Sequence, residues 1–549
     1  MDGHHQPLRR LSALAGLALV PVLVMGVFFV LPVSGMLALG LWPDGDFSPF
    51  AVLEVLGRPR VGRVLWFTVW SASVATLATL ALGIPTAYVL HRLRFPGRTV
   101  LRALFLVPFV LPTVVVGIAF KHLLGGPLAA LDLEGTPVAI IAAMVFFNLA
   151  VVVRTVGTAW EGLDPRSGEA AAALGATPWQ VFRTATLPAL RGSIISAASV
   201  VFLFCATAFG VVLILGGLRY ATIETEVYLL TTTLFDLPAA AALCLLQLVV
   251  VTLLLYAAHR ARSGSGTSVE RRAVAPVAIR RRDLPALGIM GLGMLLVTAP
   301  VLDLVAGSFR VQGGWGLGNY RSLGTVGEGS LVEASVLDAL LNSLRTAVDA
   351  TWMALLLGLL VSVIVTRRSH STAERRMRGV LDGFFMLPLG VSAVTLGFGF
   401  LITLDEPPVN FRDSALLVPI AQALVALPLV VRTLVPVLAG IDDRQRQAAN
   451  SLGASPLRAL LTIDLAVVWK PLLAAGGFAF AISLGEFGAT SFLSRVDHPT
   501  LPVIIFRLLG EQGADNYGMA LAASVILALT TALVMLVVER LRVPGVGGF

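Results

Sequence analysis

The sequence predicts an all-α polytopic membrane protein with about twelve transmembrane helices in two parallel-repeat halves of six. Three observations predict it. The chain is 57% hydrophobic and only 13% charged, where soluble domains carry about a quarter. Its apolar residues fall in twelve long runs, each able to span a bilayer. One polar stretch between runs is carried twice, at matching places.

The first copy is Asp164-Pro-Arg-Ser-Gly-Glu169-Ala-Ala-Ala-Ala-Leu174-Gly175-Ala-Thr-Pro178-Trp-Gln. Asp164 can cap a helix that begins at Pro165, because a carboxylate accepts orphan backbone donors and proline suits the first helical position. The Ala170–Ala173 run propagates the helix and leaves one side bare. Gly175 stops it. Thr177, Pro178 and Gln180 then form the cap, first residue and capping box of a second helix. Asp442-Asp-Arg-Gln-Arg-Gln447-Ala-Ala-Asn-Ser-Leu452-Gly453-Ala-Ser-Pro456 repeats the pattern. Each copy reads as a helix–turn–helix elbow whose small-residue face can lie in a cleft of another protein.

The spans of the first half are expected near 11–41, 64–90, 103–124, 138–153, 192–215 and 239–258. The first is long enough to span rather than to act as a signal peptide. Pro108 and Pro112 imply a kinked or broken third span. Arg92, Arg94, Arg98 and Arg102 after the second span mark a cytoplasmic loop. The second half repeats the plan near 284–307, 343–366, 380–404, 415–438, 471–493 and 519–538, with Arg367, Arg368, Arg375, Arg376 and Arg378 after its second span. Counting alternately puts both termini, both elbows and the segment between halves in the cytoplasm. The segments 42–63, 308–342, 405–413 and 494–517 fall outside.

The duplication is arithmetic. Arg154 pairs with Arg432, Gly175 with Gly453, Pro178 with Pro456 and Phe209-Gly210 with Phe487-Gly488, all 278 apart. Pro108 with Pro388 and Gly117 with Gly397 are 280 apart, which one insertion explains. The halves should be related by a pseudo-two-fold axis along the membrane normal. Residues 1–258 form the first half and 284–549 the second. Residues 259–283, rich in arginine around Ser-Gly-Ser-Gly-Thr-Ser, read as a flexible cytoplasmic linker near anionic lipid.

Composition also excludes functions. Lys121 and Lys470 are the only lysines, followed by His122 and Pro471, so no Gly-Lys-Ser/Thr phosphate loop exists. The net charge of +8 reflects arginines at span ends, not nucleic-acid binding. Cys205 and Cys244 sit inside apolar runs and imply neither disulfide nor metal. No ligand cluster or nucleophile elbow suggests an enzyme. An ion-coupled secondary transporter would share the repeats but would not explain two bare-faced elbows.

Glu169-Ala-Ala-x-x-x-Gly175 with Leu187-Pro188 resembles the coupling motif of permease subunits in bacterial ATP-binding-cassette importers of the type I fold. The resemblance covers nearly the whole chain. It implies that Glu169, Ala170, Ala171 and Gly175, and Gln447, Ala448, Ala449 and Gly453, dock onto a separate ATPase dimer that holds the ATP and Mg, with no cofactor in this chain. It implies an external or lipid-anchored substrate-binding protein, a multi-pass place in the bacterial cytoplasmic (inner) membrane, and alternating access. Gln447 replaces the acid, and Leu465-Ala466 stands where Leu-Pro is expected, so docking should be asymmetric, with a later exit bend at Pro471. Fused permeases of this kind serve thiamine, ferric iron and some phosphonates. Ser483-Leu-Gly-Glu486-Phe-Gly-Ala489, Leu215-Gly-Gly217 and Glu224-Thr-Glu-Val-Tyr228 resemble the thiamine permeases, with ferric iron the alternative.

Glu486 adds a physical clue. It lies sixteen residues beyond Lys470, roughly 24 Å along a helix and toward the outer side of a core about 30 Å thick. An acid there either receives a cationic substrate or caps a broken helix. Its repeat partner is Ala208. Asn148 and Gln247 either face the pathway or bond between helices. Arg154 and Arg432 read as snorkelling, and His122 and His498 as too isolated for a metal. Glu224 and Glu226 read as a solvated face outside the membrane.

Overall fold

The computed structural model describes residues 16–42, 45–164, 166–217, 219–263, 277–312, 314–325, 334–367, 371–404, 411 and 414–541. The chain is helical throughout, with only two short two-stranded ladders among the described residues. Ten helices are long and apolar enough to cross a membrane, and an eleventh span is counted if the bent pair Arg98–Val110 and Thr113–Gly125 is one. These ten and the bent pair account for every expected span but the ninth. There, Thr372–Met386 and Ala393–Thr403 are separated by the short turn Leu387–Gly390.

The third and ninth spans are therefore broken rather than kinked. The bend in the first pair is 104° and falls at Pro112, whose ring removes a backbone donor. In both cases the leading helix is amphipathic and the trailing one is buried among its neighbours. The matched arginines Arg102 and Arg378 reach back from the leading helices. They donate to the carbonyls of Leu90 and Ile364, at the end of the preceding span.

The fifth span also breaks, which was not expected, and so does the eleventh, where a cap on a broken helix was one of the two readings of Glu486. The helix Leu187–Ala206 stops before Gly210–Gly216 and Ile223–Thr232, and Leu465–Gly485 stops before Thr490–Leu493 and Leu501–Gly510. The expected run to Leu493 is thus two pieces, and Glu486 stands at the end of a helix rather than within it. Helix Ile223–Thr232 begins 278 positions before Leu501–Gly510 (501 less 223), and both have ten residues. In each half a hydroxyl on the long second helix accepts from the first amide of the short one. Thr68 Oγ1 accepts from Ile223 N at 3.1 Å, and Ser343 Oγ from Leu501 N at 2.7 Å.

Packing divides the described chain into two compact units that do not follow chain order. One holds residues 1–51, 236–242 and 317–549; the other holds 52–235 and 243–316. Within the first unit, the helix Gly16–Leu41 packs on Ala393–Thr403. Within the second, Leu284–Ser308 packs on Pro59–Arg92 and Thr113–Gly125. The first span of each sequence half is thus packed among helices of the other half.

Inside each unit the main contact is between the second and fourth spans, and a glycine makes it. A Cβ on Gly83 would lie 2.6 Å from Val152 Cγ1, and one on Gly358 would lie 2.5 Å from Val430 Cγ1. The valines are 278 apart (430 less 152) and the glycines 275 (358 less 83). That register pairs Arg92 with Arg367.

Segment 264–276 of the expected linker lies outside the described residues, but its end is fixed. Val277–Ala278 pairs in parallel with Leu93–Arg94. Asp283 is buried, accepts from the Tyr88 hydroxyl at 2.9 Å, and accepts from Arg280 N at 2.8 Å. These bonds satisfy the buried carboxylate of Asp283.

Overfilling the glycine contact tests this packing. Gly358→Leu should lower stability in detergent by roughly 1–3 kcal/mol, because branched Val430 cannot swing aside. Gly379→Leu, in open space on an exposed helix face, should change it by less than about 0.5 kcal/mol. Equal melting temperatures for the two would contradict the close approach.

Candidate functional site

The two elbows are built from matched parts. In the first, Asp164 Oδ1 accepts from Arg166 N at 3.0 Å and starts the helix Arg166–Ala173. In the second, Asp442 Oδ1 accepts from Arg444 N at 3.0 Å and starts Asp443–Ser451. Pro165 lies outside the described residues. Gly175 and Gly453 take φ of +87° and +82°, a left-handed turn that glycine enters without strain. Ala176 N then donates to Ala171 O, and Ala454 N to Ala449 O, closing both helix ends. Thr177 and Gln180 form the reciprocal capping box, and Ser455 Oγ accepts from Arg458 N.

Glu169, Ala170, Gln447 and Ala448 are exposed, and Ala171 and Ala449 are half-buried. The motif does not single out the residues that protrude most. Leu174 and Leu452, 278 apart (452 less 174), are 90% and 88% exposed, more than any other large apolar side chain among the described residues. Trp179 is 67% exposed. A leucine directly before the turn glycine is held outward by the tight turn behind it. This signal was present in both copies of the sequence. An elbow that presents an apolar knob beside a bare alanine face is suited to a cleft in a partner protein.

No break follows the elbow in either half. The chain passes through the π-helical turns Phe182–Thr186 and Leu460–Asp464, again 278 apart (460 less 182), and continues into Leu187–Ala206 and Leu465–Gly485. Pro188 is therefore not the cause of the irregular turn, since Ala466 stands in its place in the second half. Pro471 lies inside the helix Leu465–Gly485, which continues through it without a break.

Glu486, Asn148 and Gln247 each bond to a partner nearby in the structure. Glu486 Oε1 accepts from Ala489 N at 2.7 Å, Oε2 accepts from Thr490 N at 3.0 Å, and the Thr490 hydroxyl donates to Glu486 O at 2.9 Å. The carboxylate thus caps the helix that follows the break. Asn148 is buried and donates to Met144 O at 2.9 Å, with Cys205 Sγ at 3.4 Å. Gln247 donates to Glu224. Asn148 and Gln247 share one compact unit and Glu486 belongs to the other.

Glu224 and Glu226 are not on a solvated face. Both are at most 1% exposed. Glu226 is held by a two-pronged pair with Arg60, at 2.5 Å and 2.9 Å, which is the geometry a guanidinium offers a carboxylate. They point inward because helix Ile223–Thr232 folds back into its unit instead of continuing outward.

The spans are duplicated, several of them are broken inside the protein, and two matched elbows protrude. Comparison with known proteins gives the family. Residues 79–263 match the family described as the binding-protein-dependent transport system inner membrane component. The thiamine transport system permease protein ThiP of Brucella abortus (strain 2308) is 28% identical over 557 residues, covering 97% of each chain. The protein of that name from Escherichia coli (strain K12) is 28% identical, covering 87% of this chain and 89% of its own. The sulfate transport system permease protein CysT of Escherichia coli (strain K12) is 36% identical over 226 residues, 39% of this chain and 82% of its own. The chain belongs to this family of inner-membrane permeases and carries two permease halves fused in one polypeptide.

The cap geometry sets a test for Glu486. Glu486→Ala strands two buried amide donors and should cost about 1–3 kcal/mol each. Glu486→Gln keeps an acceptor oxygen and should lose less. Thermal unfolding of both variants in detergent checks the order; equal losses would mean the cap is not the carboxylate's main role.

Proposed function

We propose that the chain is the transmembrane path of an ATP-driven importer, in which both elbows dock onto a separate ATPase dimer and an external binding protein delivers thiamine. The observation that carries this reading is the pair of protruding elbows. Each presents one outward leucine, and each passes directly, without a break, into a membrane-crossing helix. A displacement of the elbow is thereby a displacement of that helix. ATP and its Mg belong to the partner; this chain supplies the docking surface, the spans and the breaks. The elbows and both termini lie on the cytoplasmic side, where the arginines after the second and eighth spans also fall.

Access alternates as the partner closes on ATP and reopens after hydrolysis. Thiamine is favoured because relatives named as thiamine permeases match along nearly the whole chain. The sulfate permease matches over less than half of it and supports the permease fold rather than a substrate. Asn148 and Gln247, buried polar side chains within apolar helices, and Glu486, at a helix break, are assigned to the pathway. Glu486 adds the negative charge suited to a cation.

Uptake of labelled thiamine and labelled ferric iron, in cells lacking the chain and in complemented cells, tests the substrate. Loss and rescue of thiamine alone is expected; loss of iron alone would overturn the assignment. In the same cells Glu486→Gln should reduce thiamine uptake beyond its effect on the amount of folded protein. Unchanged uptake would end the role assigned to its charge.

The docking surface is tested separately. Leu174→Asp and Leu452→Asp lie on fully solvated turns and should leave insertion and melting unchanged. Together they should abolish copurification of the ATPase and uptake. Retention of the ATPase by the double variant would contradict docking through the elbows.

A further inference from the structure

The elbows match in backbone but differ in how they are fastened, and the difference singles out a residue that no motif marks. Asp464 lies in the π-helical turn that follows the second elbow and is 1% exposed. Its Oδ1 receives Arg446 from within the elbow helix, at 2.8 Å from Nε and 2.6 Å from Nη2. Its Oδ2 receives Nη2 of Arg367, at the end of the helix Val336–Thr366, at 2.8 Å. Arg446 is itself 9% exposed and also holds Asp443 at 2.8 Å. One buried carboxylate thus joins the elbow helix, the start of the helix leaving the elbow and the end of the long second helix of that half.

The first elbow has none of this. At the repeat positions of Arg446 and Asp464, 278 earlier, stand Gly168 and Thr186. Arg92 takes the place of Arg367 and feels the charge of Glu169, but its Nη1 is buried without a hydrogen-bond partner. The first elbow rests instead on aromatic rings. Trp179 stacks on Phe182 at 5.5 Å, Phe182 on Trp160 at 6.4 Å, and Trp160 meets Tyr88 at 5.3 Å. The cluster of His91, Arg102 and Glu161 joins helix ends and does not include the elbow helix. Ring contacts tolerate sliding, whereas a buried, doubly bonded carboxylate fixes distance and angle.

We propose that Asp464 is a positioning residue that rigidly ties the second elbow to the long helix Val336–Thr366 through Arg446 and Arg367, so that the two elbows transmit motion unequally and the second is the stiff one. This rests on the docking reading above. Breaking a buried pair from one side leaves an uncompensated charge, so the tie should fail when either partner is removed.

The test uses the full chain in lipid nanodiscs with a spin label at Leu452 or at Leu174. Cys205 and Cys244 are buried and leave these positions free for labelling. Asp464→Asn and Arg446→Ala should each shorten the rotational correlation time at Leu452 and leave Leu174 unchanged, and the double variant should go no further than either alone. An unchanged Leu452 spectrum in both variants overturns the tie, as does equal loosening at both positions, which would report general unfolding. A second arm measures ATP hydrolysis of the assembled complex stimulated by ligand-loaded binding protein. It should fall on the order of tenfold in Asp464→Asn and be unaffected in Thr186→Val. Loosening at Leu452 with full stimulation would overturn the unequal transmission, whereas failure of the unsubstituted chain to copurify an ATPase would overturn the docking reading instead.

Discussion

Every polar backbone group inside a hydrocarbon layer must find a partner within the protein, and this chain meets that requirement while breaking its spans. Each break frees amides and carbonyls that would cost about 1–3 kcal/mol apiece if left unpaired. The repairs come from short side chains already at hand. Thr68 and Ser343 cap the refolded helices after the fifth and eleventh spans. Thr222 reaches the carbonyl of Ala208 across one break, and Glu486 holds two amides across the other. Ser392 caps the second piece of the ninth span.

The same constraint explains which parts of the repeat stayed alike. Matched between halves are the features on which the backbone depends: the glycine contacts Gly83 and Gly358, the turn glycines Gly175 and Gly453, the π-helical turns and the hydroxyl caps. What differs is side-chain chemistry on that shared frame. Glu224 and Glu226 are buried in one half where Pro502 and Ile504 stand in the other, and Glu486 faces the break where the first half has Ala208.

Much of this was legible in the sequence. Apolar length located every expected span but the ninth, which is split into two shorter helices, and Asp, Pro, Gly, Thr and Gln at capping spacing marked the elbows almost residue by residue. Those signals are local, so they survive without knowledge of neighbours. The exchange of first spans was not legible, because Gly16–Leu41 and Leu284–Ser308 are apolar all round and their composition names no partner. The burial of Glu226 was equally hidden. Its partner Arg60 is 166 positions away, and charge after a span reads as solvent-facing until the chain is seen to turn back. Asp464 looked like an ordinary residue at a helix start. Only the convergence of Arg446 and Arg367 gives it a role.

Fusion of the halves makes such divergence possible. In a symmetric dimer every substitution is made twice, so an arginine–aspartate tie at one elbow would appear at both. In a single chain each half meets the other in one fixed arrangement and can change alone. A buried carboxylate requires partners from two directions at once, and it is tolerated only where both arginines are already present. Arg367 and its repeat partner Arg92 show that one arginine belonged to the shared frame. The second half then needed Arg446 and Asp464, while the first filled the same space with Phe182 and Trp160. The stiff and the sliding elbow are thus two solutions to fastening one backbone, which two identical subunits could not hold at once.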